Sequence, residues 1–522
     1  MGLYLNPGND GFRAIRKQTY VDKSGMISII NNGINTKNNL IAISRPRRFG
    51  KSYAAQMLCA YYDSSCDSRR LFDDLNIASD ASYNDHLNKY NVIYLDMSGV
   101  LSDAKSADDI IPLIKRQITK EIVETFPDVI ESEIFSETLI NAVTQSKRKF
   151  IAIIDEWDVI IRDRTISDDI QKDYFEFLRM LFKNSGTTDK IFAAAYMTGI
   201  LPIKKDGTQS AITNFKEFTM LRSWKFSEYV GFTEKEVKKL CEDNNMDFRI
   251  MKQWYDGYTL SDNDSIYNPN SVMDAITYKK YDSYWQNTSE ADSLLQYINM
   301  DFDGLSSSVA KLLGGINVEI NVSRFKNDIV GIRSKDDVLT MLAHFGYLSY
   351  NENSKTVCIP NEEIRMEFID SVHHISLPET ISRVKASQLL IKKVIEYDSE
   401  YVAEQIEKIH NEETDPLHYN NEEALRSVIK LAFFCYKDYY VRFDELPCGK
   451  GYADVVYLPK KDANVPALLI ELKWNKTSDA AISQIKNKNY PSSISDYGGE
   501  VILIGINYDE ADKKHTCTIE KI

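Results

Sequence analysis

The chain has 522 residues, 43% hydrophobic and 27% charged, the mix of a soluble globular protein, which excludes disorder as its main theme. Its 63 Lys and Arg against 77 Asp and Glu leave a net charge of −14. That balance excludes a global basic surface for coating nucleic acid, so any such contact is expected from a local patch. At roughly 150 residues per domain, the length suggests about three domains. No apolar run approaches the roughly 18 residues that cross a bilayer, so no membrane partner is expected. The start, MGLYLNPGND, lacks the basic-then-apolar layout of a signal peptide. Cysteines at 59, 66, 241, 358, 435, 448 and 517 stand singly, without a CxxC pair, and point to a reducing cytoplasm.

In chain order, Leu40–Ser44, Asn91–Asp96, Phe150–Asp155 and Phe192–Thr198 read as short buried strands with amphipathic helical stretches between them. That alternation implies a parallel α/β sheet covered on both faces. Residues 226–300 are more helical, and Thr233-x-x-Glu236 is a capping-box pattern. Short helices and a hairpin around His344–Pro360 are expected next, then a charged helix over 376–410 that bridges two bodies. A second alternation follows, with strands at Tyr439–Phe443, Ala453–Tyr457, Ala467–Lys473 and Glu500–Ile506.

Between the first strand and a helix lies ISRPRRFGKS. A phosphate loop, G-x-x-x-x-G-K-[ST], cradles phosphates on backbone N–H groups, reaches them with Lys, and ligates Mg²⁺ through the hydroxyl. Gly50, Lys51 and Ser52 fill its last three places, and Arg45 stands at the first glycine. Arg45, Pro46, Arg47, Arg48, Phe49, Gly50, Lys51 and Ser52 are therefore the candidate nucleotide-binding loop. Arg47 and Arg48 would either neutralise phosphate or contact a neighbouring element. The run KRKFIAIIDEWD ends a strand in Asp155-Glu156, where Asp155 would hold Mg²⁺ and Glu156 would polarise the attacking water. An Asp-Glu pair alone is as often a helix cap, but with GKS upstream it favours ATP and Mg. Thr198, at another strand tip, is either a γ-phosphate sensor or part of a Thr-Gly turn.

These motifs, with VDKS at 21–24, MTGILPIKKDGTQSAITNF, WYDGY at 254–258, YNPNSV at 267–272 and PNEEIR at 360–365, resemble the AAA-ATPase-like family of anaerobic and gut bacteria. The resemblance implies an AAA-like core over 1–225, a helical lid over 226–300, a winged-helix-like connector over 301–375 and a helical linker over 376–410. Asp256 and Asn268 would supply turn chemistry in the lid. The family typically adds a PD-(D/E)xK nuclease domain, here 411–522, a restriction-endonuclease-like α/β fold.

The residues suit that expectation. Asp454 starts one strand, and Glu471 and Lys473 share a face of the next, an odd pair within the run PALLIELKW. Asp454 and Glu471 would hold metal, Lys473 would position the nucleophile, and Leu472 would offer its carbonyl. By its place in the motif, Glu422 resembles the helix glutamate that completes such sites. Gln484 and Lys488 match the family's Gln-Ile-x-x-Lys element. Ala453 replaces the proline of the superfamily name. Lys450, Lys460, Lys461, Lys476, Lys486 and Lys488 are either backbone contacts for nucleic acid or a solvated face. The expected activity is nucleotide-coupled, Mg-dependent cleavage of nucleic acid, with DNA as the expected substrate, a role in defence against foreign DNA, and a homo-oligomer as a further expectation. The alternative is a nucleotide-switched scaffold or nucleic-acid-binding protein with a non-cleaving nuclease fold, an option that Arg45 at the glycine position keeps open.

Overall fold

The computed structural model describes residues 2–521 apart from 164, 204, 207–208, 211, 213, 261–264, 286–301, 314, 326–331, 373–385, 388, 414–424, 427, 430–431, 434–439, 449–450, 460–462, 464 and 489–498. The chain forms two compact units, residues 1–305 with 318–372, and residues 306–317 with 373–522.

In the first unit the apolar runs become β1 (Leu40–Ser44), β2 (Asn91–Asp96), β3 (Phe150–Asp155) and β4 (Phe192–Gly199). A fifth strand, β5 (Lys216–Phe218), was not among those read from the sequence. The sheet runs β2-β3-β4-β1-β5 and all its pairs are parallel. Period two divides each strand between two cores. Ala42, Ala152 and Ile154 pack in one cluster with Ile114, Leu139 and Leu178, while Ile43, Ile151 and Ile153 pack in the other with Ala55, Leu58 and Tyr62. Both faces are therefore dry, which is why the strands read as continuous apolar runs. Register aligns the strand ends, with Ile43 opposite Thr198 and Asp96 opposite Asp155. In an open α/β sheet, ligands bind outside these carboxyl ends.

Beyond the sheet, helices Glu234–Asn244, Phe248–Tyr255 and Pro269–Tyr278 pack with Val237, Met251, Tyr255 and Val272 as their core. The Thr233 capping box is formed, and Lys23 adds an ion pair to its Glu236 at 2.6 Å. A small antiparallel sheet, Phe232–Thr233, Ser265–Tyr267 and Tyr258–Thr259, accompanies these helices, with two of its strands in the stretch Trp254–Pro269 that reads as loop-like from the sequence. Its strands are two or three residues long, too short to carry a periodic signal. Helix Lys335–Phe345 follows, then a hairpin of Ser349–Asn351 and Thr356–Cys358 joined by Val318–Glu319, and helix Glu362–Val372.

The motifs at 254–258, 267–272 and 360–365 meet in one place. Asn361 Nδ2 donates to the Asp256 carbonyl at 2.7 Å, and Ser265 Oγ donates to the Asp256 carboxylate at 2.6 Å. The Asn268 side chain caps helix Pro269–Tyr278 by accepting from Asn270 N. Gly257 has φ +105° there, and a Cβ on it would stand 1.9 Å from the Pro360 carbonyl oxygen.

The second unit is a five-stranded mixed sheet, β6 (Tyr440–Cys448), β7 (Gly451–Pro459), β8 (Ala467–Trp474), β9 (Val501–Asp509) and β10 (Lys514–Lys521), in that order. Only β8 and β9 are parallel, and helix Ser478–Asn487 connects them. β6 runs past the expected end at Phe443 and includes Pro447, which an edge strand tolerates. Helix Ser399–Glu413 lies in this unit, with Val402 and Ile406 buried and His410 edge-on to His515 of β10 at 5.0 Å. The charged helix expected as a bridge is therefore packed into a sheet from Ser399 onward, while 376–385 lie outside the described residues.

Gly257→Ala tests the meeting of the three motifs. A left-handed backbone and a backbone clash together should cost about 3 kcal/mol and lower the melting temperature of the first unit. An unchanged melting curve would contradict the packing described.

Candidate functional site

The first site lies at the carboxyl ends of β1 and β3. β1 stops at Ser44, and Arg45 N donates to the Gly199 carbonyl at 3.0 Å. The loop then takes left-handed backbone at Arg48, φ +66°, and at Gly50, φ +88°. No atom lies within 4 Å of where a Gly50 Cβ would be, so this glycine faces open space and serves conformation. Helix α1 (Lys51–Tyr62) starts at once, which turns its first N–H groups toward that space.

Lys51 is 5% exposed, and its Nζ donates to the Pro46 carbonyl at 2.8 Å. Burial pulls its pKa down to about 8, while Asp155, Glu156 and Asp158 act to hold the ammonium charged. The Ser52 hydroxyl bonds the Asp155 carboxylate, whose pKa burial pushes up to about 6 against the pull of Ser52 and Lys51. Hydroxyl, carboxylate and ammonium thus meet where a Mg-nucleotide needs them, and these residues fit that ligand. Glu156 sits at φ +51°, and its Oε2 accepts a hydrogen bond from Ser98 Oγ, just beyond β2. A cavity of about 640 Å³ is lined by Arg47, Arg48, Phe49, Gly50, Lys51, Ser52 and Glu156. Gln18–Val21, Met273, Thr277, Phe345 and Tyr347 line it too, and the volume suits a nucleotide.

Arg45 and Pro46 of the expected loop do not line the cavity, and Phe49 and Arg48, which do, also touch other elements. The fully buried Arg45 guanidinium donates to the carbonyls of Ser44, Phe218 and Phe226 at 2.9, 3.3 and 3.2 Å, and so ties the strand ends together. Its side chain does not line the cavity, because three carbonyls inside the protein bid for a cation that lacks a carboxylate partner there. Pro46 packs against Gly346, and Phe49 stands edge-on to Tyr258 at 5.2 Å. Arg48 Nη1 bonds the Tyr284 carbonyl at 3.2 Å, the neighbouring-element alternative. Thr198 is buried beside Tyr196 and is not part of the cavity lining.

Other residues shape this site without having been singled out. Asp158, fully buried, accepts from Ile200 N at 3.1 Å, Leu201 N at 2.8 Å and Arg162 Nε at 2.9 Å. Glu363, also fully buried, accepts from Tyr284 N at 2.8 Å and Ser271 Oγ at 2.9 Å. It therefore fixes the segment that Arg48 grips. Both lie inside quoted motifs, IIDEWD and PNEEIR, and that position was the available signal.

The second site lies where β7 and β8 part. Pairing runs from Tyr457↔Leu468 to Val455↔Ile470, and one step further sets Asp454 across from Glu471. There the Asp454 carboxylate takes the Leu472 N–H at 2.7 Å in place of a backbone carbonyl. Glu471 is 1% exposed; its Oε1 accepts from Lys473 Nζ at 2.9 Å and from Gln484 Nε2, and its Oε2 has no hydrogen-bond partner among the described residues. Lys473 Nζ also donates to the Leu472 carbonyl at 3.0 Å. Burial, then the Asp454 charge, pushes the Glu471 pKa up to about 7, with Lys473 and Lys488 opposing. A buried carboxylate beside a second carboxylate, a backbone carbonyl and an orphan buried oxygen is a donor set that a divalent cation would satisfy. Arg426 approaches Asp454 at 3.5 Å. Glu422, Lys450, Lys460 and Lys461 lie outside the described residues. Lys486 pairs with Glu520, and Lys476 lies just beyond β8.

The fold and these clusters define a P-loop α/β unit together with a restriction-type α/β unit. Residues 7–209 match the family described as "Predicted AAA-ATPase", and residues 420–518 match the PD-(D/E)XK nuclease superfamily. The chain thus carries an AAA-ATPase-like region at 7–209 and a region of that nuclease superfamily at 420–518. An uncharacterized protein in the vnfD 5′ region of Azotobacter chroococcum mcd 1 is 22% identical over 283 residues, 53% of this chain. The match covers 52% of that relative, about half its length. Among solved structures, the Aeropyrum pernix ORC2 protein in its ADPNP–ADP complexes is similar at 11% identity and a TM-score of 0.33, covering 70% of this chain and 96% of that one. No described helix is long and apolar enough to cross a membrane.

Glu363 generates a pH prediction. Burial raises its pKa from 4.5 to about 7, so the folded state holds the proton more tightly than the unfolded one. Its contribution to stability is complete below pH 4.5 and is lost as pH rises through about 7. Glu363→Gln should therefore gain melting temperature relative to the parent between pH 5 and 8. A gap that does not change with pH would contradict the assignment.

Proposed function

We propose that the first unit binds and hydrolyses ATP, and that this cycle licenses Mg-dependent hydrolysis of a nucleic-acid phosphodiester by the second. Lys51 and Ser52 hold the phosphates and their Mg²⁺ with Asp155, and Glu156 orients the attacking water. Asp454, Glu471 and the Leu472 carbonyl hold the second metal site, with Glu422 assigned by its place in the motif. A bound Mg²⁺ there would acidify a water and offset charge gathering on the phosphate. Lys473 orients the nucleophile and Gln484 keeps the Glu471 carboxylate turned toward the site. Lys473 already spans Glu471 and Leu472, so its ammonium is placed without rearrangement. DNA is the substrate we assign, in defence against foreign DNA, with a homo-oligomer as the working assembly. The observation that carries this reading is Glu471: fully buried, held at Oε1 by Lys473 and Gln484, with Oε2 left for a cation. A buried carboxylate oxygen without a partner costs stability, and a structural ion pair gains nothing from leaving it so.

A second reading rests on Ser98. Its hydroxyl occupies Glu156, the residue assigned to the water, which favours a protein that binds ATP tightly and turns it over slowly, as a switch or scaffold.

Cleavage of circular and linear DNA, and of RNA, by the full chain with Mg²⁺, with and without ATP, tests both readings. Lys473→Ala should lower cleavage on the order of 10²-fold or more while ATP hydrolysis persists. Glu156→Gln should retain bound ATP and change cleavage if turnover is the licence. Cleavage unaffected by Lys473→Ala would overturn the nuclease assignment, and a Glu156→Gln protein that cuts like the parent would favour the switch.

A further inference from the structure

Beside the second site, the outer hairpin carries large apolar side chains that are more than a third exposed. Val441 is 46% exposed, Phe443 38% and Tyr452 64%, whereas most large apolar side chains of this sheet are buried. Their placement follows from register. Phe443 pairs with Val456 and Val441 with Leu458, so these four share a face of the sheet, and period two adds Asp454 and Tyr452 of β7 to it. Glu471, across from Asp454, lies on that face as well. Asp454 is thus flanked by two exposed rings, Tyr452 along its own strand and Phe443 diagonally on β6. Tyr452 lies two residues from Asp454, a span of roughly 6.8 Å along a strand.

This strip does not suit pairing by strand addition. β6 is the sheet's outer strand, but Pro447 interrupts its row of N–H donors, and a proline there blunts an edge. Nor does Arg442 of β6 supply the strip with a cation: it pairs with Tyr457 on the other face of the sheet, where it bonds Asp444 at 2.7 Å and the Tyr457 hydroxyl at 3.4 Å. What the strip presents is flat apolar surface within one residue repeat of a phosphodiester-cleaving centre. In an intact duplex, both faces of each base are covered by neighbours stacked about 3.4 Å apart. Only an unpaired or splayed base has a face free to lie on a ring.

We propose that Tyr452 and Phe443 form a stacking platform for unpaired nucleotides on either side of the phosphodiester addressed by Asp454 and Glu471. The substrate class is then a nucleic-acid strand with unpaired bases at the cut, in a single strand, gap or bubble, in preference to a continuous duplex. This rests on the nuclease reading above, and it adds the form of nucleic acid that the site selects.

The test uses the full chain and labelled oligonucleotides of one sequence, offered as single strand, perfect duplex and duplex with a central bubble. Cleavage is followed in Mg²⁺, and binding by fluorescence anisotropy in Ca²⁺. The expected result is faster cleavage and tighter binding of the single strand and the bubble. Tyr452→Ala should weaken binding of those two by roughly 5- to 150-fold, leave duplex binding unchanged, and keep the parent's melting curve. Tyr452→Trp, which preserves a ring, should stay close to the parent. Equal binding of the single strand by Tyr452→Ala and the parent overturns the platform even where cleavage proceeds. Loss of a parent dimer in Tyr452→Ala, seen by sedimentation, also overturns it, by assigning the strip to a second copy. If the parent cuts nothing, the nuclease reading fails, and anisotropy still decides the platform on its own.

Discussion

The geometry of the proposed nucleotide site depends on one buried carboxylate, Asp158. The strand order β2-β3-β4-β1-β5 puts β4 between the strand that leads into the phosphate loop and the strand that ends in Asp155. The two motifs therefore have no direct backbone register, and their spacing is transmitted through the turn after β4. Asp158 grips that turn at Ile200 N and Leu201 N while Arg162 balances its charge. The turn in turn holds β1, through Arg45 N on the Gly199 carbonyl and Ser44 Oγ on the Leu201 carbonyl at 2.9 Å. Gly199 is required here for space, since a Cβ would meet Asp158 at 2.5 Å and Trp157 at 2.7 Å. A pair as buried as Asp158 and Arg162 adds little net stability against apolar alternatives, but breaking it would leave a charge stranded in the core. Its value is in fixing where Lys51, Ser52 and Asp155 stand relative to one another.

The second unit uses a related device. β7 and β8 pair normally until Val455 and Ile470, after which the Asp454 side chain replaces a backbone acceptor for Leu472 N. That substitution opens the hairpin at the point where Asp454, Glu471 and Lys473 gather, so the departure from regular pairing and the site have one cause. Burial, and then the Asp454 charge, raise the Glu471 pKa, which accords with the metal site proposed above.

Much of this was legible in the sequence. The first four strands of the first unit, β1 to β4, are found where apolar runs predict them, because both faces of the sheet are dry. Glu471 and Lys473 stood out because charged residues two apart break such a run. Other features left no comparable mark. β10 reads KHTCTIEK, a mostly polar alternation typical of an outer strand, and β5 is three residues long. Arg45 was read as part of the loop because its neighbours are, yet its long side chain folds back onto three carbonyls that are remote in sequence. Asp158 and Glu363 act through partners roughly 40 and 80 to 90 residues away, a relation that spacing along one chain does not express.

In the function proposed, the loop and the β3 carboxylate form one Mg-nucleotide site whose geometry Asp158 maintains. Titration calorimetry of Mg·ATP into the full chain, into Lys51→Ala and into Asp158→Asn addresses it most directly. Binding by the parent that weakens roughly 10- to 150-fold in Lys51→Ala, the size of a charge-assisted hydrogen bond, and also weakens in a folded Asp158→Asn, is the result this account predicts. Equal affinity in all three proteins, or no binding by the parent, would contradict it.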